Sequence, residues 1–221
     1  MFKRILHELK DHAPFTSLGA ISGIVLMVYL KSIPHELAYK IFYILHPLHV
    51  LLSAMVTTAI YNLYECRQPD AKCKLLKIIA IGYVGSVGIA TLSDSLIPYL
   101  GEMLLGLPNK GLHIGFIEEW WIVNPLAFIG IALGYFKPTT KFPHSGHVML
   151  STWASLFHMI MALGLVTYWY TYPIICIFLF ISVWIPCCVS DIVFPLLFVS
   201  GDRRKKLKHS CCSCGSSSKC S

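Results

Sequence analysis

The chain has 221 residues, of which 56% are hydrophobic and only 13% charged, with a formal net charge of +7. That is too apolar for an ordinary water-soluble domain, and its apolar stretches approach the roughly 20 residues a helix needs to cross a bilayer. The basic excess sits in connections and tail, so it reads as topology and contact with anionic inner-leaflet lipid; no nucleic acid is expected as a partner.

Met1–Asp11 mixes Phe2, Ile5 and Leu9 with basic residues, which suits a short amphipathic helix on the membrane surface within a segment 1–13. A first span follows from Phe15 to Leu30, then a polar connector, 31–40. The second span, Ile41–Tyr64, carries His46-Pro-Leu-His49-Val-Leu-Leu-Ser53 near its start, and Glu65–Lys74 is a polar loop. Leu75–Leu105 is too long for one straight crossing, so a break is expected at Ser93-Asp94 and Pro98. A connection ending in Glu118 and Glu119 leads to the fourth span, Trp120–Phe136, which opens on an interfacial tryptophan pair. The fifth span runs from His144 to Val166 and the sixth from Tyr168 to Val199, the latter broken by Pro186, Asp191 and Pro195. The tail, 200–221, is basic at Arg203–Lys208 and rich in cysteine beyond it.

Two patterns recur in one register. His144-Ser-Gly-His147-Val-Met-Leu-Ser151 repeats the first His-x-x-His-Val-x-Leu-Ser 98 residues later, and Ser190-Asp191 with Pro195 repeats Ser93-Asp94 with Pro98 after 97. Gly130-Ile131 echoes Gly23-Ile24 as a weaker third match. This indicates an internal duplication, with repeat units 14–106 and 107–199 of three spans each. Three is odd, so the second unit enters the membrane upside down. The expected fold is an all-α polytopic membrane protein with six transmembrane helices as a 3+3 inverted repeat, its third and sixth helices broken, a plan shared with secondary transporters. Basic residues cluster in the segments that an inside N-terminus would place in the cytoplasm, so both termini are expected there.

Histidines at i and i+3 share a helical face, and Ser53 and Ser151 continue it. Imidazoles so spaced can hold a divalent transition metal with an aspartate from another helix. The candidate ligands are His46, His49, Asp94, His144, His147 and Asp191, with Ser53, Ser151, His158, Cys187 and Cys188 as accessories. Inversion places the first three near the outer side and their counterparts near the inner side, with Glu102, Glu118 and Glu119 around the outer mouth. Each residue also has a plainer role: interfacial or capping histidine, helix-breaking aspartate, cysteine as a small hydrophobe.

Ionisable groups inside apolar spans mark ion pathways. The reading is therefore a small transporter or channel for a cation, a divalent transition metal such as zinc, exchanged for protons. The alternative is an intramembrane zinc hydrolase acting on a lipid; paired histidines also raise a haem protein. Units this small could pair as a homodimer. The nine cysteines suggest reduced thiols rather than a disulfide framework, and those of the tail either capture a soft metal or accept acyl chains.

Overall fold

The computed structural model describes residues 2–30, 33–67, 73–137, 141–163, 169–188 and 193–199, with backbone alone at 2–12, 15, 141–145 and 188. The described residues are helical and include no strand: α1 Phe2–Leu30, α2 His35–Tyr61, α3 Leu75–Leu105, α4 Gly115–Glu118, α5 Trp120–Phe136, α6 Lys141–Ala162, α7 Thr171–Cys188 and α8 Phe194–Leu197.

Helix boundaries depart from the sequence expectation in three places. α1 runs through Pro14 without interruption, so the backbone of 2–13 continues into the first apolar segment. α2 begins at His35, behind Pro34 and with Glu36 in its first turn, where an acid complements the helix dipole. The supposed connector is thus helical from His35, and His46-x-x-His49 lies at mid-helix rather than near its start. α2 ends in a π turn, Asn62–Cys66. The third correction is to α3, which is not broken. It is continuous, closed at its C-terminus by Gly106 in the left-handed conformation (φ 63°), and distorted by two π turns, Val84–Gly88 and Leu92–Leu96. The corresponding break in the sixth segment, around Asp191, lies outside the described residues.

Side-chain pairs fix the helix directions. His49 meets His147 while Phe42 meets His158, so α2 and α6 are antiparallel. Asp94 meets Ser151 and Glu102 meets His158, so α3 and α6 are parallel. α1 runs parallel to α6 through Gly19 on Thr152 and Gly23 on Leu156; α5 runs parallel to α2 through Gly130 on Leu51 and Gly134 on Met55. α7 is antiparallel to α6, with Cys187 by His147 and Phe178 by Met159 at Gly101. The long helices therefore alternate in direction along the chain.

The Gly130-x-x-x-Gly134 pair brings α5 closest to a neighbouring backbone among the glycine contacts. A Cβ on Gly130 would overlap the Leu51 carbonyl oxygen, and one on Gly134 the Met55 carbonyl. Small residues spaced by four let backbones touch in this way. Gly19 and Gly23 of α1 face α6 as Gly130 and Gly134 of α5 face α2.

The bundle buries polar groups and exposes apolar ones. His46, His49, His147, His158, Asp94 and Glu102 are at most 1% exposed, whereas Leu18, Ile21, Trp120, Trp121 and Phe136 are each at least 60% exposed. Two helices, His35–Cys66 and Leu75–Leu105, are long and apolar enough to cross a membrane; Thr16–Leu30, Trp120–Phe136 and Thr171–Cys187 are shorter apolar helices. One cystine, Cys66–Cys73, closes the connection between α2 and α3, which corrects the expectation of reduced thiols there.

Candidate metal centre

Asp94 organises the interior. It sits in the second π turn of α3, where Ser93, Asp94 and Ser95 are all fully buried. A carboxylate only accepts, so His46 and His49 both donate Nδ1–H to its Oδ2, at 2.9 and 2.7 Å. Ser93 and Ser151 donate their hydroxyls to Oδ1, each at 2.7 Å. Four donors satisfy the anion, and bonds to an ionised acceptor are the stronger kind.

The π turn also sets register. Asp94 and Glu102 are eight residues apart, which on an α-helix leaves them about 80° out of line. Removing one residue as a bulge brings them within about 20°, matching Ser151 and His158, seven apart on α6. Ser95 has the character of the extra residue: its buried hydroxyl has no hydrogen-bond partner.

His49 extends this network to α6. Its ring stacks on that of His147 with centroids 5.7 Å apart and planes 13° from parallel. His49, His147 and Cys187 each offer a ligand atom, all within 4.8 Å of one another and all buried; it is the one group of this kind among the described residues. With Nδ1 of His49 held by Asp94, Nε2 is the nitrogen that remains for a metal. A carboxylate behind a ligating imidazole is the usual outer shell of such sites. Tetrahedral zinc spaces its nitrogen and sulfur ligands by roughly 3.4–3.7 Å, so binding would require the ligand atoms to draw in and the near-parallel imidazoles to turn toward a common point. Nitrogen–sulfur donor sets suit zinc and its neighbours. Rings stacked face to face do not aim their nitrogens at a common iron from opposite sides, which disfavours the haem reading.

One histidine of the expected outer group and one of the expected inner group thus share a site. α6 runs antiparallel beside α2, and the two His-x-x-His motifs meet at their second histidines, His49 against His147. His46 stays apart: its Nε2 has no hydrogen-bond partner and its ring edge lies on Gly115, where an added Cβ would sit 2.5 Å away. Ser53 and Ser151 are both buried, and Ser151 serves Asp94 rather than a metal. The side chains of His144 and Cys188, all of Asp191 and the tail lie outside the described residues.

Sequence reasoning missed a second group. Glu102 is not at the mouth but fully buried, its Oε1 accepting Nδ1–H of His158 at 2.7 Å and its Oε2 the Gly111 N–H at 3.3 Å. Glu118 does lie at the surface, accepting from Tyr43 hydroxyl, from His113 Nδ1 at 3.2 Å and from Ile114 N–H at 3.2 Å. Partial burial pushes the Glu118 carboxyl up, but the Tyr43 and His113 hydrogen bonds, attraction to His113 and the Ile114 N–H together hold it below the usual range. No spacing in the sequence marked the buried pair, since 94 to 102 is eight residues and 151 to 158 is seven. No protein-family model matches this chain, and neither do curated proteins or solved structures.

Proposed function

We propose that the chain is a six-span integral membrane protein that carries a divalent transition-metal ion, zinc or a close relative, through the interior of its bundle. In this reading units 14–106 and 107–199 form the inverted repeat, both termini are cytoplasmic and the third unit helix is strained by π turns rather than broken. Alternating helix directions and the paired glycine contacts support the repeat; buried charge beneath exposed Leu, Ile and Phe supports a lipid-facing surface.

The observation that carries the metal reading is the His49–His147–Cys187 group with Asp94 behind His49. A metal-bound cysteine is a thiolate, so Cys187 and Asp94 together supply two negative charges. A divalent cation neutralises both, which a low-dielectric interior strongly favours over a monovalent one. Metal analysis of protein purified without chelator tests this: wild type should retain zinc or take it up at one per chain, and His147→Ala and Cys187→Ser should not. Proteoliposomes should take up zinc only with the intact set. Zinc binding unchanged in both variants ends this reading.

The hydrolase remains as a second reading, on a specific observation. Both motif copies converge on one centre, and three protein ligands leave a fourth position open for water. Transport is preferred because Asp94, the carboxylate nearest the imidazoles, is saturated by four donors and has no capacity left as a base. Ester hydrolysis by purified protein without zinc flux would reverse that preference.

A further inference from the structure

Beyond the central group, a buried and a surface imidazole stand next to one another, each held by its own glutamate. We propose that His113 and His158 form a proton-transfer path from solvent at the partly exposed His113–Glu118 pair to the buried Glu102. This rests on the transport reading, for which it supplies the exchanged ion.

His158 and Glu102 side chains are wholly buried, yet Nε2 of His158 has no hydrogen-bond partner. A pair kept for stability alone would be satisfied at both nitrogens, because a bare buried polar atom is destabilising. The ring of His113 faces that of His158 edge-on, with centroids 5.4 Å apart. The side chains of His113 and Glu118 are 19% and 33% exposed, so the outer pair reaches solvent.

The transfer balances. With its Nδ1–H held by the Glu118 carboxylate, His113 takes a proton from solvent on Nε2 and passes it to Nε2 of His158 by ring rotation or across one water. His158 then releases its Nδ1 proton to Glu102 along the existing bond, so one proton moves inward and both imidazoles end neutral. The Phe42 ring, 5.3 Å from His46 and 5.5 Å from His158, separates this path from the Asp94 cluster. Other titratable groups around it are Tyr39 and Tyr43 of α2 and Tyr172 and Cys176 of α7. Lys40 and Lys110 are exposed, and Glu119 lies beside Glu118. Phenols and thiols ordinarily titrate above neutrality, which leaves the imidazoles as the carriers.

Nitrogen-15 NMR of the imidazoles in detergent-solubilised full-length protein, from about pH 5 to 9, tests the path. His158→Gln assigns the His158 signal by its loss. In wild type His158 should titrate in fast exchange, despite full burial. In His113→Phe, which keeps the ring packing, its two protonation states should separate into slow-exchange signals. A wild-type His158 that does not titrate overturns the proposal without any variant, and so does fast exchange retained in His113→Phe. Zinc added to the same samples shifts His49 and His147 if the central reading holds. Absence of that shift sinks the metal centre alone, since the path is judged on His158.

Discussion

His49 and His147 lie face to face, 5.7 Å between ring centroids, although 98 residues separate them. Each is the second histidine of its His-x-x-His motif, and the two motifs meet at these residues. If this is a zinc site, zinc at a hundredfold excess over its Kd should stabilise the folded protein by about 2.7 kcal/mol. A thermal-shift series in detergent should show that gain in wild type, its reversal by chelator and its absence in Cys187→Ser.

Asp94→Asn keeps the shape but turns an acceptor for four donors into a group that must itself donate. It should lower stability by about 1–3 kcal/mol, and zinc affinity by roughly 10–100-fold because His49 loses its orienting partner. Calorimetry checks both. Unchanged zinc affinity would detach Asp94 from the metal site.

The glycine contacts give a packing prediction. At Gly130 an added methyl meets the Leu51 carbonyl, which the helix cannot move, so Gly130→Ala should destabilise by about 1–3 kcal/mol. Gly88 has helical dihedrals (φ −64°, ψ −45°) and nothing within 4 Å of an added Cβ. Gly88→Ala should therefore be neutral or stabilising by up to about 1 kcal/mol. Denaturation midpoints of the two variants should move in opposite directions or only the first should move.

Glu118 gives a pH prediction. Its carboxyl is held below the ordinary range in the folded protein, so its contribution is present above the unfolded value of about 4.3. That contribution is lost as pH falls through the lower folded value. Melting temperatures taken from neutral pH downward should drop less steeply in Tyr43→Phe, which lacks one of the bonds that depress Glu118. An identical slope would show that the Tyr43 bond does not tune this acid.

The all-helical class was legible because long apolar runs allow little else, and the histidines stood out because polar repeats in such runs are rare. Convergence of the two motifs was not legible. It turned on where α2 begins, and reading Pro34-His35-Glu36 as connector rather than helix start moved His49 from mid-helix to one end. Glu102 was misplaced for a related reason: π turns have no sequence signature, and on an ideal helix Glu102 falls off the Asp94 face. Cys66 and Cys73, seven apart across a polar loop, carried no mark of pairing.

That bridge lies in the connection the proposed orientation assigns to the cytoplasm, where thiols are kept reduced. Alkylation of intact cells, followed by a gel-shift for free thiols, tests that assignment, which requires Cys66 and Cys73 to react in the cell although the structure joins them. A bridge already complete in untreated cells would place this loop in an oxidising compartment and reverse the orientation.

The extra residue at Leu92–Leu96 also makes a statement about length. Deleting Ser95 should restore a plain helix with Asp94 and Glu102 still on one face. Deleting Tyr99 leaves the bulge and swings Glu102 by about 100°. Only the first deletion should keep a normal melting temperature, because the second takes Glu102 away from His158.

A helix that carries one residue too many resembles a rug with a wrinkle. The wrinkle can travel along the weave without either edge moving. If the bulge slides one turn toward Val84–Gly88, where α3 already holds another, only the stretch between its old and new positions rotates, by about 100°. Asp94 lies in that stretch and Glu102 does not. Spin labels at Ile79 and Leu104 should then keep a nearly constant separation while one beside Asp94 changes its surroundings on zinc addition, and a rigid α3 would show no change at Asp94. The central aspartate thus has a way to release its imidazoles that asks no whole helix to tilt and no hydrogen-bonded backbone to face lipid bare.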